Sequence, residues 1–400
     1  MIGALRRSGL SRDSRDRAIA TVVIVTGLVL GACSSSGPNR DPVDLTKIEH
    51  PALKPDVTWD KSPTDGTGDL HTGLRLAVED DMVVSADTSG EVAALNPETG
   101  KKLWRVDTKA HVIAGPSVSG DLVLVGTTDA EVIALKRASG EQVWRATVSS
   151  SVVGAPVGTG NTLVVRCVDG KIFGLSADTG ARRWSFAREN PELMLRGQSA
   201  GLIEGNTVFI GLDNGHAVAL KVDTGEVLWE QIVSAPTGRN PLERISDVDA
   251  DPVMANEGLL AASFGGDLAA LNPADGRVAW RSPVRSYTGI AVLANRIFVT
   301  DQDGVVWAFD FQSGASVWKQ EGLKYRRLSP PAVQNGYLAV ADLEGYVHWL
   351  APDDGHLVAR VKAVNGPVSA PLVMHDDTLY VLSRYGKIAA VKVVPTAPKG

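Results

Sequence analysis

The feature that most constrains the fold is a repeated segment, first seen at Gly90–Trp104. It has the pattern of a strand, a turn that ends in glycine, and a second strand that ends in tryptophan. Copies begin at positions 90, 130, 170, 215, 266, 304, 345 and 386, in steps of 40, 40, 45, 51, 38, 41 and 41 residues. A period near 40 residues predicts a repeat architecture in which similar units bury a shared core.

One period, from Trp104 to Trp144, contains four short apolar segments separated by turn residues. Four strands in about 40 residues are typical of one blade of a β-propeller. A parallel sheet would need helical segments between the strands, and no helical period occurs there. The sequence therefore predicts an all-β fold, an eight-bladed β-propeller of four-stranded blades.

In seven of the eight units the turn between the third and fourth strands ends in glycine, as at Gly100 and Gly140. Glycine takes a positive φ without steric cost, which such hairpin turns require. Four residues later comes tryptophan, which we interpret as a packing wedge between neighbouring blades. Its indole N–H needs one acceptor when it is buried.

The last repeat, which begins at Gly386, has no tryptophan. Trp59 lies 31 residues before Gly90, within the spacing of the other repeats. We therefore expect the strand around Trp59 to complete the last blade and close the ring. Closure would cover the two strand edges that are otherwise left open.

The N-terminus has the pattern of an export signal. Five arginines precede an apolar run over residues 18–30, and 13 residues are too few for a membrane-spanning helix of roughly 20 residues. Residues 30–33, Leu-Gly-Ala-Cys, resemble a bacterial lipobox, which implies cleavage after residue 32 and lipidation of Cys33. An ordinary cleaved signal with a chance cysteine is the alternative. Ser34 favours the outer membrane, at its periplasmic face, if enteric-type sorting rules apply.

Composition sets the remaining boundaries. We expect residues 1–32 to be a lipoprotein signal peptide, 33–54 a flexible tether, 55–394 the propeller and 395–400 a frayed tail. With Cys33 lipidated, Cys167 is the one remaining thiol, expected as a small buried hydrophobe. The formal charge of −6, with no cluster of Lys and Arg after residue 40, argues against nucleic-acid binding.

The two longest departures from the period are residues 190–200 and 237–249. Both follow a fourth strand, so they are expected on the same face of adjacent blades, where loops commonly carry binding residues. Leu193 and Leu195 alternate in an extended segment and can point the same way. Apolar anchors beside Arg196, with carboxylates on the neighbouring loop, have the composition of a binding hot spot. The alternative is that the leucines fill the core and the charges are solvated.

The repeat pattern resembles the tryptophan-docking repeats of pyrroloquinoline-quinone (PQQ) enzyme propellers. Joined to the lipobox and a length near 400, it looks like the family of accessory lipoproteins of the outer-membrane β-barrel assembly (BAM) complex. The resemblance implies a non-catalytic scaffold that binds the periplasmic domains of BamA and other BAM members. It further implies nascent outer-membrane proteins as candidate partners, and contact with the membrane through the lipid. Matched to the family's two binding motifs, Leu-x-Leu-Arg-Gly and Ser-Asp-Val-Asp, the partner-binding residues are Leu193, Leu195, Arg196, Asp247 and Asp249.

Motifs for chemistry are incomplete in this sequence. Residues 197–201 match G-x-S-x-G, but no strand-to-helix turn or suitable histidine accompanies them. Residues 247–258 begin like a calcium loop and have Pro252 and Gly258 where an EF-hand needs Gly and Glu. A quinone dehydrogenase, which in family terms carries vicinal cysteines, is the main rival. We therefore predict no enzyme activity, cofactor or metal, and leave open a propeller that binds a carbohydrate or peptide in its central funnel.

Overall fold

The computed structural model describes residues 40–68, 70, 72–191, 193–195, 197–235, 239–240, 245–286 and 288–396. These residues form 33 β-strands and no α-helix. Among them there is accordingly no helix long and apolar enough to cross a membrane. The signal peptide and Cys33, both assigned from sequence, lie outside the described residues.

The strands are short and follow one another through tight turns. In chain order they are β1 (Leu53–Lys61), β2 (Gly73–Leu74), β3 (Ala77–Glu79), β4 (Met82–Ala86), β5 (Glu91–Leu95), β6 (Lys102–Asp107), β7 (Val112–Ser119), β8 (Leu122–Thr127), β9 (Glu131–Lys136), β10 (Gln142–Thr147), β11 (Val157–Thr159), β12 (Thr162–Arg166), β13 (Lys171–Ser176), β14 (Arg182–Ala187), β15 (Leu202–Glu204), β16 (Thr207–Gly211), β17 (His216–Lys221), β18 (Val227–Ile232), β19 (Val253–Ala255), β20 (Gly258–Ala262), β21 (Asp267–Leu271), β22 (Val278–Pro283), β23 (Ile290–Leu293), β24 (Arg296–Thr300), β25 (Val306–Asp310), β26 (Ser316–Gln320), β27 (Ala332–Gln334), β28 (Tyr337–Ala341), β29 (Tyr346–Leu350), β30 (Leu357–Lys362), β31 (Val373–His375), β32 (Thr378–Leu382) and β33 (Ile388–Pro395).

These strands form eight antiparallel blades, which confirms the predicted eight-bladed propeller. Blades 1 to 7 are consecutive sets of four strands, from β3–β6 to β27–β30. The short strand β2 adds to blade 2 by pairing in parallel with β7. Blade 8 combines β31, β32 and β33 with β1, so that the two ends of the chain close the ring. Leu53 pairs with Pro395 and Lys61 with Ile388, as the position of Trp59 predicts.

The first strands of neighbouring blades contact one another, as β7 contacts β11 and β11 contacts β15, and so they surround the central funnel. Because strands alternate in direction, every connection between blades opens on one face, together with the turns between second and third strands. We call this the loop face; it carries the described parts of the two long loops, residues 188–191, 193–195, 197–201, 233–235 and 245–252. The opposite turn face carries the turns between third and fourth strands, such as residues 97–100.

The tryptophans dock between blades as predicted. In blade 1 the Trp104 indole N–H donates to the carbonyl of Arg137, in the turn of blade 2, at 2.8 Å. A Cβ on Gly140, whose φ is +74°, would lie 2.6 Å from a ring atom of Trp104. The turn glycine is thus required by the backbone and by the neighbouring ring. Six further indoles bond the next blade's turn in the same way: Trp59, Trp144, Trp184, Trp229, Trp280 and Trp318.

The contact between blades 7 and 8 is built differently. Ala359 stands where the tryptophan would be, and blade 8 has no covalent turn between β33 and β1 to accept an indole. Instead the fully buried Trp349 donates to Gln334 Oε1 at 3.0 Å. The Gln334 amide in turn donates to the carbonyl of Val391, in blade 8, at 2.9 Å. A polar relay therefore replaces the missing wedge.

Residues 43–52, expected as part of a flexible tether, lie against blade 7 instead. The Val43 N–H donates to the Lys324 carbonyl at 3.1 Å and the Ala52 N–H to the Val358 carbonyl at 3.0 Å. At the other end of the chain, Thr396 donates to the Ala52 carbonyl at 2.9 Å. These backbone groups find acceptors in the propeller, which composition alone does not indicate.

Candidate functional site

The two long loops meet on the loop face at the junction of blades 3, 4 and 5. The Leu195 N–H donates to Asp247 Oδ2 at 2.5 Å. The Ala200 N–H donates to Asp251 Oδ1 at 2.7 Å, and the buried Ser199 hydroxyl to the carbonyl of Ala250 at 3.2 Å. Carboxylates of the second loop therefore fix the backbone of the first. Ser199, the serine of the G-x-S-x-G match, serves this junction.

The two leucines of the first loop are exposed, in contrast to most large apolar side chains of the propeller. Leu193 is 43% and Leu195 39% accessible to solvent. This excludes the alternative in which both leucines fill the core. Because the Leu195 amide is bonded to a buried carboxylate, its side chain is presented from a fixed backbone.

Asp247 and Asp249 differ from the leucines because they face inward. Asp247 is fully buried and Asp249 is partly buried. Both lie beside Asp213, which follows β16, and the buried Arg166 at the end of β12. Arg166 Nη2 donates to Asp213 Oδ1 at 2.5 Å. Arg196 lies outside the described residues, so its part in partner binding stays a prediction.

The pKa of Asp247 is raised to about 7, mainly by burial and also by the adjacent Asp213 charge, while the Leu195 N–H and Arg166 oppose the shift. Burial also raises the pKa of Asp249 to about 7, with a further contribution from the charge of Asp247. One oxygen of each carboxyl, Asp247 Oδ1 and Asp249 Oδ1, is buried without a hydrogen-bond partner. Burial and neighbouring negative charge therefore favour the protonated form of these two carboxyls beneath the exposed leucines.

Carboxylate oxygens of Asp213, Asp247 and Asp249 lie within 4.8 Å of one another, which is the spacing that ligands of one cation have. The Arg166 guanidinium already bonds Asp213 and supplies a positive charge in the same place. The three carboxyls and Arg166 thus form an internal ion group in which the guanidinium is the cation. Gly197 is packed over it, since an added Cβ would lie 1.9 Å from Asp249 Oδ1.

Arg166 and Asp213 were not among the site residues predicted from the sequence. A signal for Arg166 is present: it is the one charged residue at the end of the second strand among eight units. The residues at the equivalent position, four before the start of each repeat, are Ala86, Gly126, Arg166, Gly211, Ala262, Thr300, Ala341 and Leu382. Asp213 lies in the turn between the second and third strands of its blade. Acidic residues are common in this turn in other blades too, so Asp213 has no comparable signal.

A cavity of about 740 Å³ opens on the loop face beside these loops. Leu195, Gly197 and Asp249 form part of its wall, so the exposed leucine loop borders the funnel mouth. Arg75 crosses this wall to pair with Asp251 at 2.5 Å. The segment that carries Arg75 includes β2, which holds it to blade 2. The site is therefore continuous with the central funnel.

Comparison with known proteins identifies the family. The profile described as "Outer membrane protein assembly factor BamB" matches residues 58–320. The chain belongs to this family. Outer membrane protein assembly factor BamB of Alkalilimnicola ehrlichii is 48% identical over 94% of this chain and 97% of that protein. The crystal structure of BamB from Moraxella catarrhalis superposes with a TM-score of 0.79 at 27% identity, covering 85% of this chain and 100% of the other.

The fold is shared more widely than the family. Quinohemoprotein alcohol dehydrogenase from Comamonas testosteroni matches with a TM-score of 0.68 at 14% identity, over 86% of this chain and 77% of that one. At this identity the likeness concerns the propeller alone. Membership of the BamB family therefore rests on the sequence matches, and the quinoprotein likeness explains the PQQ-type repeat.

Proposed function

We propose that this protein is a non-catalytic scaffold of the outer-membrane β-barrel assembly complex that docks the periplasmic domains of BamA on its loop face. Family membership supports the assembly role, because the relatives are named outer membrane protein assembly factors. The observation that carries the docking site is the pair of exposed leucines whose loop is fixed by a buried carboxylate. A prearranged apolar anchor loses little conformational entropy on binding.

The roles of the five proposed partner-binding residues are different. Leu193 and Leu195 supply the apolar contact, and Arg196 supplies a charged contact at its edge. Asp247 and Asp249 act from below by holding the loop in place. We propose that bound BamA, kept on a rigid propeller, is oriented so that nascent barrel strands are delivered productively.

We further propose that the protein is anchored through a lipid on Cys33 at the periplasmic face of the outer membrane. Supporting this are the lipobox-like residues 30–33 and the family's outer-membrane role. A mass measurement of the mature protein checks this directly. The expected product begins at Cys33 and carries an acyl modification, and an unmodified N-terminus would contradict the anchor.

The docking proposal is tested by binding to purified BamA periplasmic domains. Leu193→Ala and Leu195→Ala together are expected to weaken binding by at least 2 kcal/mol, roughly 30-fold, since both remove apolar anchors. Leu103→Ala with Val143→Ala is the matched control, because these side chains are also exposed, at 50% and 42%, but lie on outer strands of blades 1 and 2. Equal affinity of the anchor variant and the control variant would refute the site.

The absence of catalysis is a separate proposal. It is supported by the Ser199 hydroxyl, which donates to the Ala250 carbonyl, and by Asp247, which accepts the Leu195 N–H. Incubation with PQQ and Ca²⁺, followed by a dye-linked alcohol oxidation assay, is expected to show no turnover. Measurable oxidation would favour the quinoprotein alternative.

A further inference from the structure

Residues 43–52, which we call the strap, follow a defined path along blade 7. At its start the Val43 N–H bonds the carbonyl of Lys324, in the connection between blades 6 and 7. In its middle Thr46 accepts a hydrogen bond from Arg360 Nη2, on β30, at 2.8 Å. At its end the Ala52 N–H donates to the carbonyl of Val358, near the start of β30. The strap thus runs antiparallel to β30, from the loop face to the turn face.

A buried ion network holds the start of the strap. Arg326 is 4% exposed, and its Nε donates to the fully buried Asp342 at 2.7 Å. Its Nη1 donates to the carbonyl of Val43 at 3.0 Å, and its Nη2 pairs with Glu344. The strap carbonyl therefore satisfies a guanidinium N–H that has little access to water. Losing that acceptor would leave a charged donor unpaired, which costs more than an ordinary surface contact.

The network continues to the middle of the strap through a histidine. His348 Nε2 lies 2.9 Å from Asp342 Oδ2, and Arg360 Nε donates to His348 Nδ1 at 3.2 Å. Arg360 then reaches Thr46. Leu45, between the two bonded strap residues, packs against the apolar core that blades 6 and 7 share. The strap is therefore held by polar contacts at two points and by an apolar contact between them.

Val43 lies on the loop face of the propeller. Lys324 and Arg326 lie in a connection between blades, and all such connections open on the loop face. The leucine loop, residues 193–195, lies on that same face. The strap therefore begins at the face that carries the candidate docking site.

We propose that the strap ties the loop face toward the lipid bilayer. Val43 lies only ten positions after Cys33. A fully extended chain of that length reaches about 35 Å, whereas a free tether to Leu53 would reach about 70 Å. The docked strap halves the reach and fixes the exit point beside blade 7, so the propeller presents its docking loops to a partner close to the membrane.

The orientation rests on the proposed anchor at Cys33, whereas docking of the strap does not. Hydrogen–deuterium exchange therefore tests the strap by itself in the full lipidated protein. Amides of Val43 and Ala52 are expected to exchange at least about tenfold more slowly than an unstructured peptide, as hydrogen-bonded amides do. Exchange of residues 43–52 at the free-peptide rate would overturn the proposal even if Cys33 is lipidated.

Energy transfer to the membrane tests the orientation. The lipidated protein is placed in vesicles of phosphatidylethanolamine and phosphatidylglycerol (3:1) that contain an acceptor lipid. A donor dye is attached at Glu321→Cys on the loop face or at Gln312→Cys on the turn face; both positions are exposed and belong to blade 6. Because a blade is roughly 20 Å deep, transfer from the loop-face dye is expected to be about twofold greater. Equal transfer from both dyes, or greater transfer from Gln312→Cys, would overturn the proposal.

A strap variant links the two measurements. Val43→Pro removes the N–H that bonds Lys324, and Leu45→Asp removes the apolar contact, while the blades are left unchanged. This double variant is expected to lose both the protection of residues 43–52 and the difference between the two dyes. Retained protection of blade amides shows that it is folded. If the dye difference survives after strap protection is lost, the strap does not set the orientation.

Discussion

Asp247 is fully buried, yet the sequence-based interpretation placed it among partner-contacting residues. Its Oδ2 accepts the Leu195 N–H, so we propose that it acts on partner binding through the backbone of the leucine loop. Beside it lies Asp249, a second carboxyl with a raised pKa, and Arg166 forms an ion pair with Asp213. At the residue scale, the proposed contact surface and its support are therefore separate groups.

The raised pKa values predict a pH dependence. Asp247 and Asp249 have pKa values of about 7 in the folded protein, above the roughly 3.9 of a free aspartate. Their protonation therefore stabilises the fold most below pH 4, and this contribution is lost as the pH rises through 7. Between pH 6 and pH 8 each group is expected to lower the free energy of unfolding by about 1 kcal/mol. Urea unfolding followed by tryptophan fluorescence measures it.

Variants separate this effect from the rest of the molecule. Asp249→Asn is expected to reduce the difference in unfolding free energy between pH 6 and pH 8, because the amide does not titrate. Asp178→Asn, at an exposed turn, is the control and is expected to leave the difference unchanged. If Asp247→Asn and Asp249→Asn together leave the pH dependence intact, the pKa of neither carboxyl is raised.

At the scale of elements, the turn between third and fourth strands joins one blade to the next. Gly140→Ala is expected to destabilise the protein by roughly 1–2 kcal/mol through its positive φ, and by about 1–3 kcal/mol more through overlap with the Trp104 ring. Gly120→Ala in the same blade isolates the first effect, because its φ is +56° and no atom lies within 4 Å of an added Cβ. Guanidinium unfolding compares the two. Equal losses would show that the ring does not constrain the turn.

The leucine loop depends on a glycine for a different reason. An added Cβ on Gly197 would overlap Asp249 Oδ1, so Gly197→Ala is expected to displace the loop from the carboxylate cluster. We expect at least about tenfold weaker binding of BamA periplasmic domains, because a shifted loop misplaces Leu193 and Leu195. Gly322→Ala, also on the loop face, would approach only the flexible Gln320 side chain and is the control. Unchanged affinity of Gly197→Ala would show that this packing does not matter for docking.

At the scale of the whole molecule, ring closure depends on β1. A chain that starts at residue 62 lacks β1 and the Trp59 indole that bonds Pro97. It is expected to lose at least the roughly 3–5 kcal/mol of one buried tryptophan and to associate through the uncovered edge of β33. A chain that starts at residue 47 keeps β1 and loses only the first part of the strap. Size-exclusion chromatography and guanidinium unfolding compare them; equal behaviour would contradict a closing role of β1.

The architecture could be read from the sequence because each blade repeats the same local chemistry. The glycine of each turn, the tryptophan four residues later and the spacing of Trp59 together predicted eight blades and their closure. Departures from the period, at residues 190–200 and 237–249, indicated the loops that meet in the structure. Local signals suffice here because hairpin turns and neighbouring strands are close in sequence.

Only the tertiary structure decided how distant residues combine. Arg166 and Asp213 belong to blades 3 and 4 and meet Asp247 and Asp249 through the ring geometry, which no local pattern encodes. The strap is a second case: residues 43–52 have the composition of a linker, but the buried Arg326 and the partly buried Arg360 donate hydrogen bonds to its carbonyls. In both cases a buried charge needs a partner that lies far away in the sequence, and the closed ring brings it there.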